Sequence, residues 1–369
     1  MEEIIELDMQ KKYEFTSRIY IFGAQSRAKT LRGYLRYLYP QIEILSFLVD
    51  DIEGNETSID GVPVRILDSV EKIDSSCDIF IATKGIYHED ITNRLKKRGM
   101  KRIIPITVEL DNAFRNAYVK KYYWQEHENF IKITDLCVHQ SDAVIYSAKS
   151  VYDKTLQSKY NCPVYEKEIQ VGAALTSRRL SPNVLTDCDG ENISTKNRQY
   201  CELTALYWIW KNTKEDVVGL SHYRRHFILP DNWQDIMYTN DIDVILPVPT
   251  FVYPNIRENY KERHDPSDWE YMMYYLEQNY PNDFNEAEEV FSKNLYFPCN
   301  MFIVRRKILD DLCSWMFPII DAVVKHGGVK EDTYLNRYPG FISERLITLY
   351  FLRKSINYHI VYADKNFIV

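Results

Sequence analysis

Glycine is scarce in this chain. Only 12 of the 369 residues are Gly, and the turn IFGAQSRAKT after the first apolar run holds just one, with Gln25 and Ala28 where a dinucleotide-binding fingerprint places further glycines. Without them the backbone cannot approach a pyrophosphate closely, so the turn reads as structural. Paired cysteines are also missing: Cys77, Cys137, Cys162, Cys188, Cys201, Cys299 and Cys313 are scattered and odd in number. That excludes a complete disulfide framework and suits reduced thiols in the cytosol. No apolar run approaches the ~20 residues that span a bilayer, which leaves peripheral membrane association open. The opening MEEIIELDMQKKYEF is acidic and lacks the basic-then-apolar order of a secretory signal. Positive charge is not in excess either, with 46 Lys plus Arg against 53 Asp plus Glu and a net charge of -7. A general nucleic-acid binder is therefore not expected.

What is present is the composition of an ordinary folded protein, 45% hydrophobic and 27% charged, in a chain long enough for two domains. The 29 tyrosines suit stacking on sugar or nucleobase faces, or equally a Tyr-rich core. Residues 18–22, 42–49, 78–82 and 102–105 read as strands alternating with helical patterns, which predicts a Rossmann-like α/β domain over residues 1–110. A connecting helix is expected over 111–140, and a second α/β domain over 141–369. In the second domain the strand AVIYSA, a buried helix from Asn197 to Asn212, the strands DVVGLSHY, DVILPVP and MFIVRR, and a last helix from Ser343 follow in order.

The segment SHYRRHF places two histidines and two arginines directly after an apolar strand. Guanidinium forks match phosphate oxygens and stay charged at any relevant pH. At the carboxyl end of a strand in an open α/β sheet they face the crevice where ligands bind. Arg224 and Arg225, with Tyr223 beside them, are thus candidate anion ligands.

Taken in order, QVGAALT, GENISTKNRQYCELTALYWIWKN, VVGLSHYRRHF, CNMFIVRR and GFISERL resemble the signature blocks of an uncharacterised-domain family of bacterial polysaccharide-cluster glycosyltransferases that includes galactofuranosyltransferases. The resemblance covers about residues 142 to 350 and not residues 1 to 110. It implies a GT-A-like fold with a mixed sheet, a UDP-linked sugar donor with galactofuranose among the donor sugars, and growth of a capsule or O-antigen repeat on a lipid-linked or oligosaccharide acceptor. Most GT-A enzymes carry an Asp-x-Asp that holds a divalent cation against the donor diphosphate. Here HYRR stands in that place, and two guanidiniums supply charge directly, so no metal cofactor is expected. Asp241-Ile242-Asp243 precedes its apolar run instead of following one and reads as a solvated strand start.

Within this frame Lys149, Gln170 and Gly172 are candidate donor-cleft residues. Asn192, Asn197, Glu202 and Asn300 are candidate sugar or acceptor ligands, with helix capping as the plainer role of the first two. An inverting transfer needs a base for the acceptor hydroxyl. Glu344 in GFISERL resembles the acidic residue at an acceptor-side helix start of inverting GT-A enzymes, with a macrodipole partner or an ion pair with Arg345 or Arg337 as its structural alternative. His222 and Asp332 are substitutes. Two other functions compete: an NAD-dependent enzyme modifying nucleotide-sugars, and a non-catalytic sugar-binding assembly component. Placement at the inner face of the cell membrane and homo-oligomerisation stay open.

Overall fold

A computed structural model of the protein describes residues 15–71, 73–126, 131–133, 136, 143–156, 162–353 and 357–368. The chain divides into two compact units, Met1–Asn129 and Phe130–Val369. Both are α/β.

In the first unit the apolar runs become β1 (Arg18–Phe22), β2 (Glu43–Val49), β4 (Val62–Ile66), β5 (Asp78–Ile81) and β6 (Ile103–Pro105), with β3 (Ser58–Ile59) beside β4. The sheet order is β3-β4-β2-β1-β5-β6. All neighbours are parallel except β3 and β4, as βαβ crossovers require. Helix α1 (Ser26–Leu38) buries Ala28, Leu31, Leu35 and Leu38, which recur at helical spacing. α2 (His88–Lys97) buries Ile91 and Leu95. At the β1–α1 turn Gly23 has φ +113°, and an added Cβ would meet the Ala82 carbonyl at 3.0 Å. Gln25 Nε2 donates to Gly54 O at 2.9 Å and Asn55 Oδ1 at 2.7 Å, tying the turn to the loop after β2.

The helix expected as a connector runs instead over Val108–Glu126 (α3) and forms a layer of this first unit. Tyr118 packs on Tyr34 and Tyr37 of α1 at ring distances of 5.4 and 4.8 Å, and Phe114 is fully buried beside Phe80. Residues 127–130, 134–135 and 137–140 of the expected connector lie outside the described residues.

The second unit is built on a mixed eight-stranded sheet. Its strands are β7 (Ala143–Lys149), β8 (Glu166–Gln170), β9 (Leu185–Thr186), β10 (Val217–His222), β11 (Phe227–Ile228), β12 (Val244–Pro247), β15 (Phe302–Arg305) and β16 (Ile360–Lys365). They lie in the order β11-β16-β12-β15-β10-β7-β8-β9. β15 runs antiparallel between β10 and β12, whereas β7, β8 and β9 run parallel to β10. The carboxyl ends of β7, β8, β10, β12 and β16 and the amino end of β15 therefore share one edge. β13 (Thr250–Phe251) and β14 (Leu295–Tyr296) pair separately. α6 (Trp233–Thr239) closes one core cluster with Trp233, Ile236 and Met237. α7 (Ile256–Arg263), α8 (Pro266–Asn279), α9 (Pro281–Phe291) and α10 (Arg306–Gly327) pack around α11 (Tyr338–Leu352), which is apolar and buried almost all round.

Two expected elements differ. The helix predicted over 197–212 is two helices, α4 (Asn197–Tyr200) and α5 (Leu203–Asn212), because Cys201 takes φ +50° between them. The last helix begins at Tyr338 with Pro339 in its first turn, not at Ser343.

Candidate active site

The HYRR turn leaves β10 at the shared carboxyl edge. Tyr223 N donates to Ala148 O at 3.1 Å, and His222 N to Arg225 O at 2.9 Å, so the backbone doubles back at once and lifts both arginines off the sheet. The segment after β16 fixes the turn from outside. Asn366 N donates to His226 O at 3.0 Å, His226 N to Asn366 Oδ1 at 2.9 Å, and Ile368 N to Arg224 O at 2.8 Å. The Phe367 ring thereby comes to lie 5.8 Å from the Arg224 guanidinium and 5.1 Å from that of Arg225, with Tyr223 at 5.1 Å from Arg224. Neither arginine has an ion pair among the described residues, and both are part-exposed. Rings orient a guanidinium without neutralising it.

Beneath the turn, Glu166 at the start of β8 is buried. Its Oε2 accepts Ser221 Oγ and His226 Nδ1, each at 2.7 Å, and Cys162 Sγ stands at 3.8 Å. Cys, Glu and His within one small sphere invite a metal reading. The 2.7 Å contact of Glu166 with His226 is a hydrogen bond that ties the start of β8 to the arginine turn.

Beside the turn lies a second group of polar side chains. His222 is buried, and its Nε2 donates to the Cys299 carbonyl. Burial holds the ring below its ordinary pKa against the pull of Glu202, so it is neutral near pH 7. Glu202 Oε1 lies 3.9 Å from His222 Nε2 and accepts Asn300 Nδ2 at 2.8 Å. Its other oxygen has no hydrogen-bond partner among the described residues. Asn300 also donates to Gly340 O at 3.1 Å and accepts Ser343 Oγ at 2.8 Å, a buried amide joining three segments. Cys201, Cys299 and Asn300 all take positive φ of 50–73° without being glycine. Such strained backbone gathers where a structure holds side chains in a required position.

Glu344 lies in the second turn of α11, which removes the helix-start reading. Its Oε1 accepts Cys299 N at 2.6 Å and its Oε2 accepts Arg345 at 2.7 Å. Burial raises its pKa against the pull of Arg345 and of the Cys299 N–H. Both oxygens are committed, and what they hold is the Cys299 turn that binds His222. Asp332 is exposed and accepts Tyr334 N and Leu335 N at 2.8 and 2.7 Å, capping a short turn.

The remaining candidates each make contacts within the chain. Lys149 pairs with Glu168 at 2.7 Å, and Gln170 is buried, holding Arg178 O and Leu180 N. Gly172, at φ +64°, leaves room for Asn197, whose Oδ1 would stand 2.6 Å from an added Cβ. Asn192 donates to Cys188 O and Gly190 O and accepts Ser194 N. Asn197 donates to Cys201 O and Thr204 Oγ1. Neither caps a helix through its side chain. The hub of this region is Asp187, fully buried, which accepts Gly172 N, Ala173 N, Ser194 Oγ and Thr204 Oγ1. No motif pointed to it. Asp243 binds Arg305 and His359 N at the amino end of β12, the edge opposite the arginine turn.

A surface groove of about 870 Å³ lies elsewhere, beside Tyr146, Lys167, Trp208 and Asn212. Tyr146 is spent on Glu215, Trp208 on Asp189 O and Asn212 on Glu191 O. The arginine turn, with its uncommitted charge, is the better ligand site.

A family model described as "Domain of unknown function (DUF4422)" matches residues 151–355, more than half of the chain. The chain belongs to that family. The DUF4422 match takes in both the arginine turn and the Glu202–Asn300–Glu344 group. A solved structure, "WbbM bifunctional glycosytransferase apo structure", is similar with a TM-score of 0.53 and 25% identity, over 62% of this chain and 45% of that chain. The DUF4422 chain thus spans less than half the length of that relative. No curated protein matches the sequence. Among the described residues no helix is long and apolar enough to cross a membrane.

Proposed function

We propose that the chain is a glycosyltransferase that moves a sugar from a UDP-sugar donor to a surface-polysaccharide acceptor, lipid-linked or oligosaccharide, on the cytoplasmic side of the cell membrane. The observation that carries the reading is the pair of ring-held guanidiniums, Arg224 and Arg225, at the carboxyl edge of the sheet, neither within ion-pair distance of a carboxylate among the described residues. The likeness to a bifunctional glycosyltransferase supports it. In this reading both guanidiniums bind the donor diphosphate and no divalent cation is needed.

The transfer is inverting. The acceptor oxygen attacks the anomeric carbon as the bond to the diphosphate oxygen breaks, and UDP departs with the electron pair, stabilised by both guanidiniums. A carboxylate takes the acceptor proton. Glu202 suits that task better than Glu344, because one of its oxygens is uncommitted while Glu344 uses both. Asn300 holds Glu202 in place, and neutral His222 lies beside it. Galactofuranose belongs in the donor screen.

The test is UDP release from a panel of UDP-sugars, the furanose form of UDP-galactose included, with direct UDP titration. Turnover that needs Arg224 and Arg225 is expected. No UDP binding by the folded protein would overturn the proposal.

A further inference from the structure

A ladder of five rings runs from the core of the second unit to its surface. Trp269 is 2% exposed and packs at 5.3 Å, tilted by 45°, on Tyr260, which is fully buried. Tyr260 meets His264 at 4.7 Å, His264 meets Phe341 at 4.1 Å with planes 19° apart, and Phe341 meets Tyr334 at 5.1 Å. Tyr334, the last rung, is 44% exposed. A ring backed in this way is already immobilised, so a ligand that stacks on it pays little side-chain entropy.

The polar groups around that outer rung are also set. Tyr334 precedes the short turn Leu335–Arg337, where residues three apart eclipse, and this brings Arg337 to its side. Arg337 lies over Phe341 at 5.9 Å, and its Nε donates to Cys201 Sγ at 3.1 Å. Its terminal nitrogens have no partner among the described residues. Asp332 spends one oxygen on the Tyr334 and Leu335 amides and keeps the other free. An aromatic face flanked by a planar cation and a planar anion matches a sugar ring, with its apolar C–H face and equatorial hydroxyls.

The position fits as well. Phe341 is three residues before Glu344 on α11, and Arg337 follows Tyr334 toward Cys201 and Glu202. The geometry points to Tyr334, Phe341, Asp332 and Arg337 as a carbohydrate subsite, occupied by a sugar ring of the acceptor. As an acceptor subsite it rests on the transferase reading above; as a carbohydrate site it does not. Asp332 then serves as a hydroxyl ligand, not as the base.

The experiment is saturation-transfer NMR on the full chain with a panel of methyl glycosides of the common hexoses, in pyranose and furanose forms, and their disaccharides. Transfer to the C–H face of at least one glycoside is expected. Tyr334→Ala should weaken it about tenfold, a loss of ~1.4 kcal/mol, Tyr334→Trp should retain it, and UDP affinity should stay within about twofold in both. Thermal melts establish that the variants fold. Equal transfer in wild type and Tyr334→Ala, or no transfer from any glycoside, would overturn the subsite. Glycoside binding in a protein that does not bind UDP would sink the transferase reading and leave the carbohydrate site standing.

Discussion

The ring of Phe367 sits 5.1 Å from the guanidinium carbon of Arg225, and no carboxylate among the described residues lies within ion-pair distance of that cation. A carboxylate in place of the ring would orient Arg225 equally well but cancel the charge that an oxyanion needs. Phe367→Ala is expected to weaken UDP about two- to twelvefold, the loss of a cation–π hold of ~0.5–1.5 kcal/mol. Phe367→Tyr should restore it. Isothermal titration with UDP reads both; unchanged affinity in Phe367→Ala would remove the ring from the donor site.

Arg224→Ala and Arg225→Ala should each cost ~1.5–3 kcal/mol of UDP affinity, about 10- to 100-fold, as expected for a lost charge-assisted contact. Turnover should persist in excess EDTA. Strict dependence on added manganese or magnesium would show that a cation, not the arginine pair, carries the diphosphate.

For the two carboxylates the expectations diverge. Glu202→Gln keeps the acceptor for Asn300 but removes the proton-accepting charge, so kcat should fall ~10²–10⁴-fold with UDP affinity unchanged. Glu344→Gln leaves Arg345 without its carboxylate in a buried setting, so its main effect should be a lower melting temperature. If Glu344→Gln abolished turnover at wild-type stability while Glu202→Gln did not, the two roles would be exchanged.

Acid stability gives an independent check on the ring ladder. Burial, with Arg345, Arg263 and Lys330 nearby, pushes the His264 imidazole down to about 3. The unfolded chain takes up a proton near pH 6.5 and the folded chain does not, so stability is present above that pH and drains away as pH falls. Between pH 7 and 5 this amounts to about 2 kcal/mol. His264→Phe, which keeps a ring in the ladder, should flatten the pH dependence of urea unfolding by that amount. Asp265, held at about 2 by Lys330 and Ser267, titrates below this window. An unchanged slope would mean that His264 is protonated in the folded protein.

The α/β alternation of both units was legible because buried strands and one-sided helices write their period directly into the order of apolar residues. The arginine turn was legible for a similar reason, since charge placed at the end of an apolar strand has few bland readings. Cys201 was not, because a single non-glycine residue at positive φ leaves no mark in an otherwise helical pattern, yet that break is what turns Glu202 toward His222. Glu344 stands in a conspicuous motif, but its partners Cys299 N and Arg345 are a matter of packing. Phe367 and Asp187 had no local signal at all. Each acts through contacts with residues far away in the chain or through backbone amides, and neither kind is encoded in spacing.

The pairing of Asn366 with His226 joins positions 140 residues apart, and β16 lies inside the sheet between β11 and β12. Local elements assemble early in folding, whereas contacts of such separation must first overcome the entropy of closing the intervening chain. The arginine turn is therefore expected to acquire its final shape late in refolding, after β7 and β10 have joined. During recovery from denaturant, helical signal should return before the capacity to bind an anion, and the interval between the two measures how long the sheet waits for its inserted strand.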